Sequence, residues 1–290
     1  MPDWGWMAIG TYALGMGFIF LYSLAQLALL VRYRRAENPE TASSPLTDEE
    51  LPEVLVQLPV YNERYVVERL IDAVAAMDYP PHKLAIQVLD DSDDECFDIA
   101  ARKIAAWQTR GVNIMHIQRP FRKGFKAGAL EYGLQLTNHP YIAIFDADFL
   151  PPADFLKAVL PRFTHACVGM VQTRWGHTNR DYSLLTRVQA LALDAHFTVE
   201  QKGRNLGGHF INFNGTAGVW RRECITDAGG WSAETLTEDL DLSYRAQLKG
   251  WRFIFVENIV SPAELPVEMA AIRTQQYRWN KGAAECAAKH

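Results

Sequence analysis

The sequence has no paired cysteines. Its four, Cys96, Cys167, Cys224 and Cys286, lie far apart with no C-x-x-C spacing, which points away from a zinc knuckle or a dithiol redox motif and suits a reduced compartment. Its eight histidines form no H-x-H or H-E-x-x-H cluster, so a histidine-held metal is not expected. Positive charge is also short. Lys and Arg total 29 against 34 Asp and Glu, a net charge of -5, which is the wrong sign for the basic face that a nucleic-acid partner requires. No internal repeat and no low-complexity tract stands out. Charge of either sign is missing altogether from Trp6 to Val31.

That uncharged run exceeds the roughly 20 apolar residues that cross a bilayer. Trp4 and Trp6 stand at one end, and Arg32, Arg34 and Arg35 follow at the other. No basic residue precedes the run, unlike the positive start of a signal peptide. Residues 1–36 therefore read as an N-terminal transmembrane helix. The arginine side faces the cytoplasm by the positive-inside rule, which puts the rest of the chain there too. Residues 37–51, acidic and carrying Pro39 and Pro45, read as a linker. With 49% of the 290 residues hydrophobic and 22% charged, the remainder suits one large or two small globular domains.

From Val54 a regular alternation begins. Strands are expected at Val54–Leu58, Leu84–Leu89, Val112–Ile117 and Tyr141–Phe145, with helical periodicity between them, as at Val67, Leu70, Ile71 and Val74. Such alternation predicts a mostly parallel sheet covered on both faces, an α/β fold. Beyond it come strands at Val168–Gln172 and Trp251–Val256, a helix at Tyr182–Glu200, a glycine-bearing loop at Gly203–Gly208 and a capped helix at Thr235–Lys249. A helix runs from Pro266 to the end, with aromatic and basic residues interleaved near Tyr277, Arg278 and Trp279, as in a helix lying on a membrane surface.

Five clusters could carry chemistry. Tyr-Ile-Ala-Ile-Phe-Asp-Ala-Asp-Phe, 141–149, runs a buried strand into Asp146 and Asp148. Residues i and i+2 of a strand share a face, and two carboxylates on one face invite a cation such as Mg²⁺ or Mn²⁺. A solvated acid pair at a strand end reads the same way. Asp90 and Asp91 close the second strand at the same sheet edge, as ligand acceptors or as part of a helix cap. Arg122, Lys123 and Lys126 surround Gly124 and Gly128, a helix start suited to a diphosphate or a solvated basic loop. Thr235 and Glu238 have capping-box spacing, while Asp239 beside them could act as a general base. On the last helix, Gln275 shares a face with Arg278 or Trp279.

The order of these motifs is more specific than any one of them. Pro-Val-Tyr-Asn-Glu, Asp-Asp-Ser, Lys-x-Gly, Asp-Ala-Asp, Thr-Glu-Asp and Gln-Gln-x-Arg-Trp follow one another over residues 52–282. The chain thereby resembles the family 2 inverting glycosyltransferases, and within them the cellulose-synthase-like and mannan-synthase branch. Leu89–Ser92, Ala143–Phe149, His196–Gln201 and Phe213–Trp220 are especially similar to that branch. The resemblance implies a GT-A fold over 52–265, followed at 266–290 by the amphipathic interface helix. It implies a nucleotide-sugar donor, UDP-glucose or GDP-mannose, and a polysaccharide or, alternatively, a lipid acceptor. A third, non-catalytic alternative is a sugar-nucleotide-binding regulator of a synthase.

Residue by residue, the resemblance places Pro59, Tyr61 and Glu63 at the nucleoside, and Asp91 with Asp90 at the base. Lys126 goes to the diphosphate, and Asp146 to the ribose or donor sugar and the metal. Asp148 would hold Mg²⁺ or Mn²⁺, with Asp239 as catalytic base and Glu238, Asn214 and Gly215 on the acceptor side. Gln275, Arg278 and Trp279 would hold the pyrophosphate, with Trp279 also reaching the acceptor. Members of the branch continue into further membrane helices after the Arg-Trp motif, so a sequence stopping at His290 reads as truncated before them.

Overall fold

The computed structural model describes residues 4–35 and 44–290. Helix α1, Trp4–Arg35, is the uncharged run with its arginine end. The first part of the expected linker lies outside the described residues. Its last part docks on the domain: Leu51 is buried, and the Lys83 ammonium donates to the carbonyls of Asp48, Glu49 and Leu51.

The alternation follows as β1 Val54–Val60, α2 Val67–Ala75, β2 Leu84–Asp90, α3 Cys96–Gln108, β3 Ile114–Ile117, α4 Phe125–Gln135 and β4 Tyr141–Ile144. Then come α5 Phe155–Val159, β5 Val168–His177, α6 Leu184–Ala195, α7 Lys202–Leu206, β6 Gly218–Arg221, α8 Arg222–Asp227, α9 Glu238–Leu248, β7 Arg252–Ala263 and α10 Met269–Lys289. The strands form one seven-stranded sheet in the order β3-β2-β1-β4-β6-β5-β7. Only β6 runs against its neighbours β4 and β5; the other pairings are parallel.

The strands read as continuous apolar runs because both faces of the sheet are covered. Val54, Val56 and Leu58 of β1 enter one hydrophobic layer with α2, α3 and α5. Leu55 enters the other with α4, Trp220 and Phe253. Gln57 faces that second layer, where an unpaired amide would be costly. Its side-chain N–H donates to the Gln87 carbonyl oxygen and to the Leu130 backbone, and Gln87 donates to the carbonyl of Gly133 at 3.0 Å. Gly133 is bare because a methyl group there would meet both amides at 2.6 Å.

Three expectations change. Gly203 belongs to helix α7, not to a loop: a Cβ there would sit 3.0 Å from the Leu29 carbonyl of α1, so the glycine permits a close helix crossing. β5 and β7 run longer than their apolar cores suggested, pairing on as far as His177 and Ala263. The Thr235–Glu238 capping box does not form. Helix α9 starts at Glu238 with Thr237 as N-cap, which leaves Thr235 out of register, and its hydroxyl donates to the Thr237 carbonyl instead.

Large apolar side chains crowd the solvent face of α6 more than that of α10. Leu184, Val188 and Leu191, at helical spacing, are exposed, while α1 docks further along the chain, on residues 196–206. Gly133→Ala is expected to cost about 1–3 kcal/mol, the usual range for overpacking a tight core. A fall in thermal midpoint of several degrees in the detergent-solubilised chain would check it; an unchanged midpoint would mean the amide pair tolerates the methyl.

Candidate functional site

The carboxyl ends of β1, β2 and β4 open on one edge of the sheet, where an open α/β sheet binds its ligands. Four loops meet there. Two are tied to each other: the Ser92 hydroxyl accepts from the Asn62 N–H at 2.9 Å, and the Asn62 side chain exchanges hydrogen bonds with Asp93. Asn62 takes a left-handed backbone, φ 56°, to make that turn. Tyr61 lies partly open, with the Arg122 guanidinium stacked 3.3 Å from its ring centroid. Pro59 remains within β1, paired to Leu89.

Asp90 and Asp91 separate in role. Asp90 is 0% exposed; its carboxylate receives His116 at 2.8 Å and the Ser92 N–H at 2.9 Å. Burial opposes its charge, but these partners hold its pKa below the ordinary range. It is closed within the strand end, with its carboxylate engaged by His116 and Ser92. Asp91 forms a two-point pair with the Arg119 guanidinium, which also donates to the carbonyls of Lys123 and Phe125. Arg119 thus clamps Asp91 to the start of α4.

Asp146 and Asp148 lie in the turn just beyond β4, so turn geometry and not strand alternation brings them together. The Asp146 N–H donates to the Thr216 hydroxyl at 2.9 Å. Its carboxylate takes the Lys126 ammonium at 2.5 Å. Lys126 also donates to the Gly215 carbonyl at 2.9 Å and stands 3.8 Å from Glu238. Burial works against its charge, but Asp146 and Glu238 outweigh burial and push its pKa up to about 12. Among the described residues Asp148 has no such partner; burial and then the Asp146 carboxylate push it up to about 7. Glu63 is raised by burial and by Asp146, so it sits electrostatically at the Asp146–Asp148 end. Among the described residues no three His, Cys, Asp or Glu groups converge to hold a metal by themselves.

Across the cleft, α9 presents Asp239 in its first turn. A Cβ on Gly215 would lie 3.1 Å from an Asp239 carboxylate oxygen, so the glycine leaves the acid room. The Ser243 hydroxyl donates to the Asp239 carbonyl at 2.6 Å and accepts from the Phe213 N–H at 2.9 Å. Burial, then Glu238, push the Asp239 pKa up to about 7 against the pull of Lys126. The loop 213–217 carries left-handed backbone at Gly215 and Ala217, φ 82° and 54°. Gln172 of β5 restrains it, accepting from the Asn214 N–H and donating to the carbonyls of Thr216 and Ala217.

Gln275 and Trp279 fall on the stripe of α10 that includes buried Gly282 and Cys286, which pack on Thr237 just ahead of α9. Arg278 lies exposed on the next turn position. The structure therefore gathers Lys126, Asp146, Asp148, Gly215, Glu238 and Asp239, and seats the Arg-Trp helix on the element that carries Asp239. The sequence assigns no role to Arg119, Gln172, Gln201 or Ser243. Arg119 does stand in the basic run before Gly124, and Gln201 closes the His196–Gln201 stretch noted above.

A sheet of this order, with acids at the carboxyl edge of its central strand, defines an α/β nucleotide-binding domain of the GT-A type. The match to the family described as "Glycosyltransferase like family 2" runs over residues 52–282, and the chain belongs to that family. It is 45% identical over 253 residues to a probable glucomannan 4-beta-mannosyltransferase 4 of Oryza sativa subsp. japonica, covering 86% of this chain and 46% of that protein. It is 44% identical over 238 residues to glucomannan 4-beta-mannosyltransferase 9 of Arabidopsis thaliana, covering 80% and 45%. The chain thus spans about half the length of the curated relatives it matches.

Among solved structures it is similar to the mannosyltransferase PcManGT from Pyrobaculum calidifontis in complex with GDP-Man and Mn²⁺. The TM-score is 0.73 at 23% identity, covering 93% of this chain and 74% of that one. S. aureus TarS 1-349 in complex with UDP aligns with a TM-score of 0.55 at 15% identity, covering 73% and 60%. At these identities the likeness is one of fold.

A carboxyl group whose folded pKa exceeds its ordinary 3.8 costs stability wherever it is ionised in the unfolded chain. For Asp148 and Asp239 that cost is complete above about pH 7 and fades as pH falls toward 4. In chelator and without ligand, the Asp148→Asn, Asp239→Asn double variant is expected to melt above the parent at pH 8. Its advantage should shrink steadily by pH 5 in paired thermal melts; an advantage independent of pH would mean the two acids are not raised.

Proposed function

We propose that the chain is the catalytic portion of a membrane-anchored inverting hexosyltransferase that moves mannose from GDP-mannose to a growing β-linked polysaccharide. The observation that carries this reading is the convergence on Lys126 of Asp146, Gly215 and the acidic start of α9. It joins a cationic diphosphate cradle to a carboxylate poised as a base. The names of the relatives, glucomannan mannosyltransferases, and of the fold neighbour that holds GDP-Man support mannose as the sugar and guanosine as the nucleoside.

In this reading the nucleoside enters between the β1 and β2 loops, at Pro59, Tyr61 and Asp91. Lys126 lies at the diphosphate, and Arg278 and Trp279 on α10 approach from the far side with Gln275. Asp148 and Asp146 offer carboxylate oxygens of the hard kind that Mg²⁺ and Mn²⁺ prefer. Such ions commonly complete their shell with one or two carboxylates, water and substrate phosphates, so two acids without a third protein ligand fit the group. When bound, the cation would offset the negative charge that develops on the departing diphosphate.

Asp239 takes the proton from the acceptor hydroxyl as that oxygen attacks the anomeric carbon opposite the leaving group. Attack from the far side inverts the centre, so an α-linked donor gives a β-linked product. A pKa near 7 keeps a base effective at neutral pH. Glu238 beside Asp239 raises its basicity, and Asn214 and Gly215 border the acceptor oxygen's approach. Helix α1 anchors the domain with its arginines cytoplasmic. The exposed apolar stripe of α6 rests on the same bilayer surface, with α10 near it.

Asp239→Asn is expected to lower turnover about 10²–10⁴-fold, the usual worth of a general base, while titration with GDP-mannose shows unchanged binding. Preserved turnover would remove the base. EDTA is expected to stop transfer and Mn²⁺ or Mg²⁺ to restore it, and a thermal-shift series is expected to favour GDP-mannose over UDP-glucose. Full activity in chelator would remove the metal role, and a larger shift with UDP-glucose would reassign the donor.

A further inference from the structure

The helix that begins at Leu184 and ends at Leu206 changes pitch once, over His196–Gln201, where it is wound as a π-helix. A π turn is rare and tends to mark a functional site. Here it sends two adjacent side chains to different partners. The Glu200 carboxylate accepts from the Gln26 side chain of α1 at 2.8 Å and pairs with His196 at 2.8 Å. The Tyr22 hydroxyl of α1 lies 3.5 Å from the same acid.

Gln201, 1% exposed, turns inward. Its N–H groups donate to the Asn212 carbonyl at 3.0 Å and the Asn214 side-chain oxygen at 3.2 Å, and its oxygen accepts from the Asn212 N–H at 3.3 Å. The loop it grips is the one whose Gly215 carbonyl receives Lys126 and whose Thr216 hydroxyl receives the Asp146 N–H. That loop holds left-handed backbone at Gly215 and Ala217, a conformation that persists only when its surroundings over-determine it.

We propose that Gln201 is a positioning residue that sets loop 212–216 against Asp239 on the acceptor side, and that Glu200 links the same turn to the seating of α1. Gln172 and Ser243 hold the loop from the sheet and from α9. Gln201 is its tie to the membrane side. Loss of that tie frees Asn212–Asn214, while Thr216, held separately by Gln172, keeps its hydrogen bond to Asp146, and Asp91 keeps Arg119. The proposal rests on the glycosyltransferase reading, through the assignment of that loop to the acceptor.

The test uses the whole chain in nanodiscs with Mn²⁺. It measures GDP-mannose binding, hydrolysis of the donor to water, transfer to a β-linked manno-oligosaccharide, and amide hydrogen exchange over 210–217. Gln201→Met keeps the volume and removes the hydrogen bonds. Donor binding and hydrolysis are expected to stay within about twofold, transfer to fall about tenfold with a raised acceptor KM, and exchange at 210–217 to quicken about tenfold. Gln201→Glu keeps the bond from the Asn212 N–H but sets a buried carboxylate oxygen against the Asn212 carbonyl, and is expected to quicken exchange at least as much as Gln201→Met. Gln26→Leu on α1 is expected to quicken the same amides by about two- to fivefold, whereas Leu27→Ala on its exposed side changes nothing.

Unchanged exchange in Gln201→Met, equal losses of hydrolysis and transfer, or lost donor binding would overturn the positioning role. Unchanged exchange in Gln26→Leu would overturn the link to α1. A parent chain that neither binds nor hydrolyses the donor would instead overturn the functional reading itself, and this inference with it.

Discussion

One ammonium group holds the cleft together. Lys126 stands where three stretches distant in sequence arrive: the turn after β4, the loop before β6 and the first turn of α9. Each brings a carboxylate or a carbonyl, and without a cation those groups would repel one another across a partly buried gap. Burying a lone lysine is costly, but here its neighbours raise its pKa instead of lowering it. The lysine and the acids are therefore mutually required. Either removed alone leaves the other uncompensated in a partly buried site, which costs less than breaking a fully buried pair.

The same economy leaves charge to spare. Asp146 is matched by Lys126, whereas Asp148 and Asp239 are not matched, and both are pushed up to about 7. A fold selected for stability alone would remove those two acids. Their retention at the rim of a sheet, with left-handed backbone between them, is what a site that stores strain for ligand binding looks like. The cost is carried by two thick apolar layers and by polar side chains deep in them, Gln57, Gln87 and Gln172, whose side-chain N–H groups donate to backbone carbonyls and to the Gln87 oxygen.

Helix α1 is also packed against the rest of the chain. Gln26, which lowers the hydropathy of the uncharged run, meets Glu200, and Gly203 lets Leu29 come close. A polar residue in an apolar span is tolerated where protein supplies its partner. The contact fixes where the domain sits relative to α1, and the π turn at the same place carries that placement toward Gly215.

Strand alternation, the apolar run and the ordered acidic motifs were legible along the chain because each is local. A strand buried on both faces must be apolar throughout, and a helix must repeat every 3.6 residues. Those rules by themselves determined the α/β class and the membrane-length helix, and the order of the motifs marked Asp146, Asp148, Lys126 and Asp239 as candidates. Tertiary structure alone decided what each group touches. Asp90 and Asp91 are neighbours of like charge, yet one is walled in by His116 and Ser92 and the other is clamped by Arg119. Thr235 and Glu238 have the spacing of a cap but lie out of register with the helix start. Gln201 and Ser243 look ordinary in sequence because their partners lie 11 and 30 residues away. Hydrogen bonds between distant segments depend on how elements pack in three dimensions, and no local period or spacing records that.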